Sequence, residues 1–139
     1  MTEEDLKKRT KEFALRVLKL VAALPNNVAG RTIGNQLARS ATSVAANYRA
    51  ACRARSKIEF ISKLGIVEEE ADESALWLEL IIESNLMKRV VVEPLLKEAN
   101  EIVAIITSSR KSASRSVLAS PRTTSSARSK IANQKSKIP

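Results

Sequence analysis

Between Ser56 and Met87 the chain has no proline and keeps apolar residues at three- and four-residue steps, so it reads as one helix about 45 Å long. Ser56 with Glu59 three residues on has the form of a capping box at its start. The first half draws a single apolar stripe through Ile58, Ile61, Leu64, Val67 and Ala71. The second half, Ala75 to Ile82, is apolar nearly all round and is broken only by Glu79. A helix apolar on every side must be covered on more than one side. The rest of the chain must therefore supply long neighbours. One flank of each helix in a four-helix bundle still faces water. That implies a second burial surface for Trp77, Leu80 and Ile81, most simply another subunit.

The neighbours are present. Helix one is expected over Glu3–Leu24, with Thr2 and Asp5 as a capping pair and a stripe of Leu6, Phe13, Val17, Leu20, Val21 and Leu24. Pro25-Asn26-Asn27 ends it. Helix two is expected over Val28–Ala54, its start unsettled around Gly30 and Gly34, with Ala38, Ala41, Ala45 and Ala46 permitting close approach of another helix. Helix four is expected after Val91-Val92, with Pro94 in its first turn, and should fade near Arg110. Only three glycines and four prolines are present, too few for a β-rich fold with many tight turns. Short connections predict an all-α, up-down antiparallel four-helix bundle over residues 1–110. Residues 111–139, basic and rich in Ser, are expected to form a disordered tail.

Several function classes are closed off. The chain has no histidine, which removes the commonest general base and the commonest metal ligand. Cys52 is the only cysteine, so no intramolecular disulfide can form. No phosphate-cradling glycine loop or zinc spacing occurs. No enzyme activity, cofactor or metal is expected. The acidic start lacks the features of a signal peptide, and the densest apolar run is too short to span a bilayer. A cytoplasmic protein is the expectation.

The charge is unevenly placed. Net charge is +9. Residues 110–139 hold eight Lys/Arg and no acid, against 16 basic and 15 acidic residues in 1–109. From Phe13 to Ile58 there are eight basic residues and no acid, whereas Glu59 to Ser109 holds eleven acids and four basic residues. Two readings stand. A basic helix two can lie against an acidic helix three, within or between subunits. Alternatively, Arg49, Arg53, Arg55 and Lys57 form a patch that meets phosphates, with Arg39 as a further candidate. Ser43 and Asn47 share a helix face with Arg39 and are expected to bond to the facing helix and fix its register. The acidic run Glu68-Glu69-Glu70-Ala71-Asp72-Glu73 reads as a solvated or salt-bridging face rather than a metal site. Cys52 reads as half-buried and structural, although nearby arginines could lower its pKa.

The run Gln36-Leu37-Ala38-Arg39-Ser40-Ala41-Thr42-Ser43-Val44-Ala45-Ala46-Asn47, followed by Arg55-Ser56-Lys57-Ile58-Glu59-Phe60-Ile61-Ser62-Lys63-Leu64, resembles the four helix bundle protein family. That family is encoded in intervening sequences of bacterial large-subunit ribosomal RNA genes. The resemblance spans about residues 10–107. It implies a homopentameric ring with no demonstrated enzymatic activity. Accessory variability proteins of retroelements are similar in fold and form basic pentameric barrels that bind nucleic acid and a reverse transcriptase. By analogy it implies a nucleic-acid-binding adaptor for RNA or DNA. The other reading is a protein-interaction scaffold whose charge segregation serves ring assembly. After Asn47, many relatives carry an acidic residue and glycines where this chain has Tyr48-Arg49-Ala50-Ala51-Cys52.

Overall fold

The computed structural model describes residues 1–119. Four helices follow in order: α1 (Glu3–Ala22), α2 (Val28–Cys52), α3 (Lys57–Glu83) and α4 (Arg89–Ala119). Each packs on its sequence neighbour, and α1 also touches α4 lightly. This is the expected four-helix bundle, with α3 flanked on both sides.

Local chemistry sets the helix ends. The Thr2 hydroxyl accepts the Asp5 N–H at 3.1 Å and the Asp5 carboxylate accepts the Thr2 N–H at 2.9 Å, a complete capping box. Asn27 caps α2 by accepting the Gly30 N–H at 2.8 Å, which places the helix start ahead of both glycines. Ser56 accepts the Glu59 N–H at 3.0 Å, but Glu59 reaches back to the Arg55 N–H instead of closing the box. The end of α3 comes four residues earlier than expected. Asn85 takes the left-handed conformation (φ 59°), its N–H bonds Ile82 O, and the Leu86 N–H bonds Ile81 O. That pair of bonds is a Schellman cap. Conversely, α4 starts at Arg89, so Pro94 lies inside the helix rather than in its first turn.

α4 also continues nine residues past Arg110. Residues 110–119 contain neither Gly nor Pro, and Arg110, Ala113, Ser114 and Val117 form a partly covered stripe at helical spacing. Two contacts hold the extension to α3: Arg110 donates to Glu68 at 2.8 Å, and Lys57 Nζ donates to Ser116 Oγ at 2.8 Å. The rest of the expected tail, residues 120–139, lies outside the described residues.

The core is aliphatic. Phe13, Leu37, Leu64, Leu78, Ile102 and Ile106 are fully buried and come from all four helices. At the α2–α3 crossing the buried Ser40 and Ser74 hydroxyls bond each other at 2.8 Å, and small Ala41, Ala71 and Ala75 lie close by in sequence on the same buried faces. The register bond is thus made by Ser40, not by Ser43 and Asn47 as expected. Asn47 donates to Ser43 O at 2.9 Å and to Ser43 Oγ at 2.8 Å, both within α2. A short amide side chain four residues on reaches its own preceding turn more readily than a neighbouring helix.

The apolar belt of α3 is largely satisfied inside one chain. Ile81 is fully buried, and Trp77 is half-buried against the core. Only Leu76 (47%) and Leu80 (37%) are left exposed from the belt. Ion pairs join the helices at their edges. Arg9 grips Glu98 with two bonds (2.8 and 2.6 Å) and also reaches Glu101 at 2.7 Å. Arg39 pairs with Glu70 at 3.2 Å and with Glu73.

A Cβ at Gly30 would sit 1.9 Å from the Pro25 carbonyl oxygen, whereas one at Gly65 meets nothing within 4 Å. Gly30→Ala should therefore cost about 1–3 kcal/mol, and Gly65→Ala should gain about 0.5–1 kcal/mol, read as shifts of the urea midpoint. The Arg9 guanidinium holds the Glu98 carboxyl below its usual value of 4.5. A depressed folded-state pKa gives stability that is present above the ordinary value and lost as pH falls through the folded one. Glu98→Gln should thus flatten the acid limb of the stability–pH curve below about pH 5, measured by denaturant melts across that range.

Candidate nucleic-acid interface

The end of α2, the turn after it, the start of α3 and the end of α4 lie at one end of the bundle, with α2 and α4 on either side of α3. Arg49 and Arg53 lie four apart on one exposed face of α2, and Arg53 is its C-cap. Positive charge there complements the helix C-terminus. Arg55 is exposed in the turn, where its backbone N–H bonds Glu59 at 3.2 Å. Lys57 begins α3, and its bond to Ser116 brings the α4 extension alongside. That extension carries exposed Lys111 and Arg115.

Among the described residues, none of Arg49, Arg53, Arg55, Lys57, Lys111 and Arg115 forms an ion pair. These cations remain available to an anion from outside. Arg39 differs, because its charge is engaged by Glu70 and Glu73 in the seam between α2 and α3. The structure does not bring Arg39 to this corner. The acidic first turn of α1 lies beside the end of α2, where Glu3 and Glu4 act on Cys52, so the basic stretch is bounded by acids on its α1 side.

A groove of about 880 Å³ runs from this corner along α3 and α4. Its floor includes Ile61, Gly65 and Val103, and its rims carry Glu69 and Asp72 on α3 and Lys111 and Arg115 on α4. No group of three or more Cys, Asp or Glu among the described residues is placed to hold a metal ion. The run 68–73 divides: Glu68 bonds Thr107 and Arg110, Glu70 and Glu73 hold Arg39, and Glu69 and Asp72 stand exposed. No described helix is long and apolar enough to cross a membrane.

Tyr48 is buried and cannot stack on a base from this surface. The corner is therefore suited to phosphates rather than base faces. Sequence reasoning missed Lys111 and Arg115 as parts of the folded corner. The signal was the stripe of Arg110, Ala113, Ser114 and Val117, obscured by three serines with weak helix preference.

The model of the 23S rRNA-intervening sequence protein family matches residues 2–108. The chain belongs to this family. A solved structure of a protein of unknown function from the S23 ribosomal protein family of Bacteroides thetaiotaomicron is 35% identical, with a TM-score of 0.72. The match covers 80% of this chain and 99% of that one. No curated protein matches the chain. Arg110, Lys111 and Arg115 lie beyond the span matched by the 23S rRNA-intervening sequence protein model, while Arg49, Arg53, Arg55 and Lys57 lie within it.

Cys52 stands beside Tyr48 under the α1 start. Burial pushes its thiol above the usual value, outweighing the neighbouring Tyr48 and Lys7, which lower it. The nearby arginines do not activate it. Its reaction with a disulfide reagent at neutral pH should run slower than that of a free thiol, and rise only well into the alkaline range.

Proposed function

We propose that this member of the 23S rRNA-intervening sequence protein family is a non-enzymatic, self-associating helical bundle that binds the phosphate backbone of RNA or DNA. The surface is the corner formed by Arg49, Arg53, Arg55, Lys57, Lys111 and Arg115. One observation carries the reading: Arg49, Arg53, Arg55 and Lys57 run exposed from the end of α2 through the turn into α3 with no ion pair among the described residues, and Lys111 and Arg115 add unpaired cations along the groove between α3 and α4. Clustered unpaired cations raise the local potential and are compensated when a polyanion displaces its counterions. The eight basic residues and absent acids of 110–139 add to the same sign. With Tyr48 buried, the contacts proposed here are to phosphates rather than to base faces. Self-association, as the homopentameric ring that the family resemblance implies, multiplies the surface. A cytoplasmic setting fits the single unpaired thiol.

A second reading has its own support. Leu76 and Leu80 expose apolar surface on α3 away from the basic corner, as a protein-interaction scaffold requires. In that case the charges serve assembly alone.

Titration of labelled single- and double-stranded RNA and DNA at about 50 and about 200 mM salt separates them. Backbone binding predicts a steep loss of affinity with salt. Combined Arg53→Glu, Arg55→Glu and Arg115→Glu should lower affinity at least tenfold for every sequence and reduce the salt slope by about 2–3. Absence of binding by the full chain at low salt refutes the nucleic-acid reading and leaves the scaffold.

A further inference from the structure

The outward faces of α1 and α3 carry the same pattern in opposite charge. On α1, exposed Lys8 and Lys11 are followed by exposed Leu15 (57%) and Leu18 (43%). On α3, exposed Glu69 and Asp72 are followed by exposed Leu76 (47%) and Leu80 (37%). The steps are three, four and three residues on α1, and three, four and four on α3. Both sets lie on one helical face, turned away from the buried stripes of Phe13 and Val17 on α1 and of Ala71 and Leu78 on α3. None of the four charges has an ion-pair partner among the described residues.

We infer that α1 of one copy docks on α3 of a second copy, Lys8 and Lys11 against Glu69 and Asp72, and Leu15 and Leu18 against Leu76 and Leu80. This rests on the self-association proposed above and supplies its interface. In an up-down bundle α1 and α3 run in the same direction. Copies related by rotation about an axis along the bundle keep that direction, so charges meet charges and leucines meet leucines. The reversed orientation would set Lys8 and Lys11 against Leu76 and Leu80. The two faces are different surfaces of one chain, so the contact is heterologous and each copy offers one of each to its neighbours. A closed ring uses every such face; α1 and α3 are not adjacent in the bundle, which leaves both accessible at once. Burial of four leucines supplies the driving force, and the complementary charges select orientation.

The test uses the full chain and charge reversal. Lys8→Glu with Lys11→Glu makes both faces acidic, and Glu69→Lys with Asp72→Lys makes both basic. Each pair should raise the dissociation constant for assembly at least about a hundredfold by light scattering and sedimentation, with helicity by circular dichroism unchanged. All four substitutions in one chain restore opposite charges, and the wild-type mass should return. That recovery cannot arise from a folding defect. A wild-type chain that is monomeric at high concentration overturns self-association itself. A wild-type oligomer that keeps its mass in both reversed pairs, or a four-fold variant that stays dissociated, overturns this interface and leaves self-association standing.

Discussion

The structure depends on covering α3. Its second half is apolar around most of its circumference, so no arrangement that leaves it one neighbour is stable in water. α2 and α4 solve this by packing on either side, and they do so by different means. Against α2 the approach is close, through small residues and one hydroxyl–hydroxyl bond between Ser40 and Ser74. Larger aliphatic residues, Ile102 and Ile106, fill the α4 side. The helix α1 then needs only to close the remaining side of the core, and its Phe13 and Val17 do so without contacting α3 extensively. The hydroxyl pair adds one directional contact to this apolar crossing, and each serine also bonds a carbonyl of its own preceding turn, Ser40 that of Leu37 and Ser74 that of Glu70.

Charge is divided by the same geometry. Arginines at helix edges meet carboxylates across the seams: Arg9 with Glu98, Arg39 with Glu70 and Glu73, Arg110 with Glu68. These partly exposed pairs add little stability each but orient neighbouring helices. Charges on outward faces and at the α2–α3–α4 corner lack such partners. Residues 1–109 hold 16 basic and 15 acidic residues, yet the surface divides into separate basic and acidic regions, because only Arg9 and Arg39 among those basic residues pair across a seam.

Much of this could be read from residue spacing. The four helices, the Thr2 cap and the Pro25 stop follow from local rules, and local rules act within a turn or two. Features set by tertiary contact were less legible. Asn85 ends α3 because a left-handed residue there lets Leu86 return to the core, and nothing in Leu86-Met87 as sequence marks that return. The continuation of α4 depends on Glu68 and Lys57 reaching it from α3. Ser40 and Ser43 are three residues apart in one Ala-rich run, and only the direction of the neighbouring helix decides which of them meets it. The corner cations Arg49, Arg53, Arg55 and Lys57 were legible because they are close in sequence; Lys111 and Arg115 were not, because the fold brings them there. Arg39 looked equivalent to them until the acids of α3 were placed beside it.

Trp77 gives the belt a further property. It is the only tryptophan in the chain, and its indole N–H is buried with no acceptor, the one such side-chain atom among the described residues. An indole held in an apolar setting without a hydrogen bond emits at shorter wavelength than one in water. It adjoins Leu76 and lies one turn from Leu80, on the helix whose covering the whole bundle requires. The protein therefore carries an intrinsic optical probe in the apolar half of α3, and the colour of its fluorescence reports whether α3 is covered.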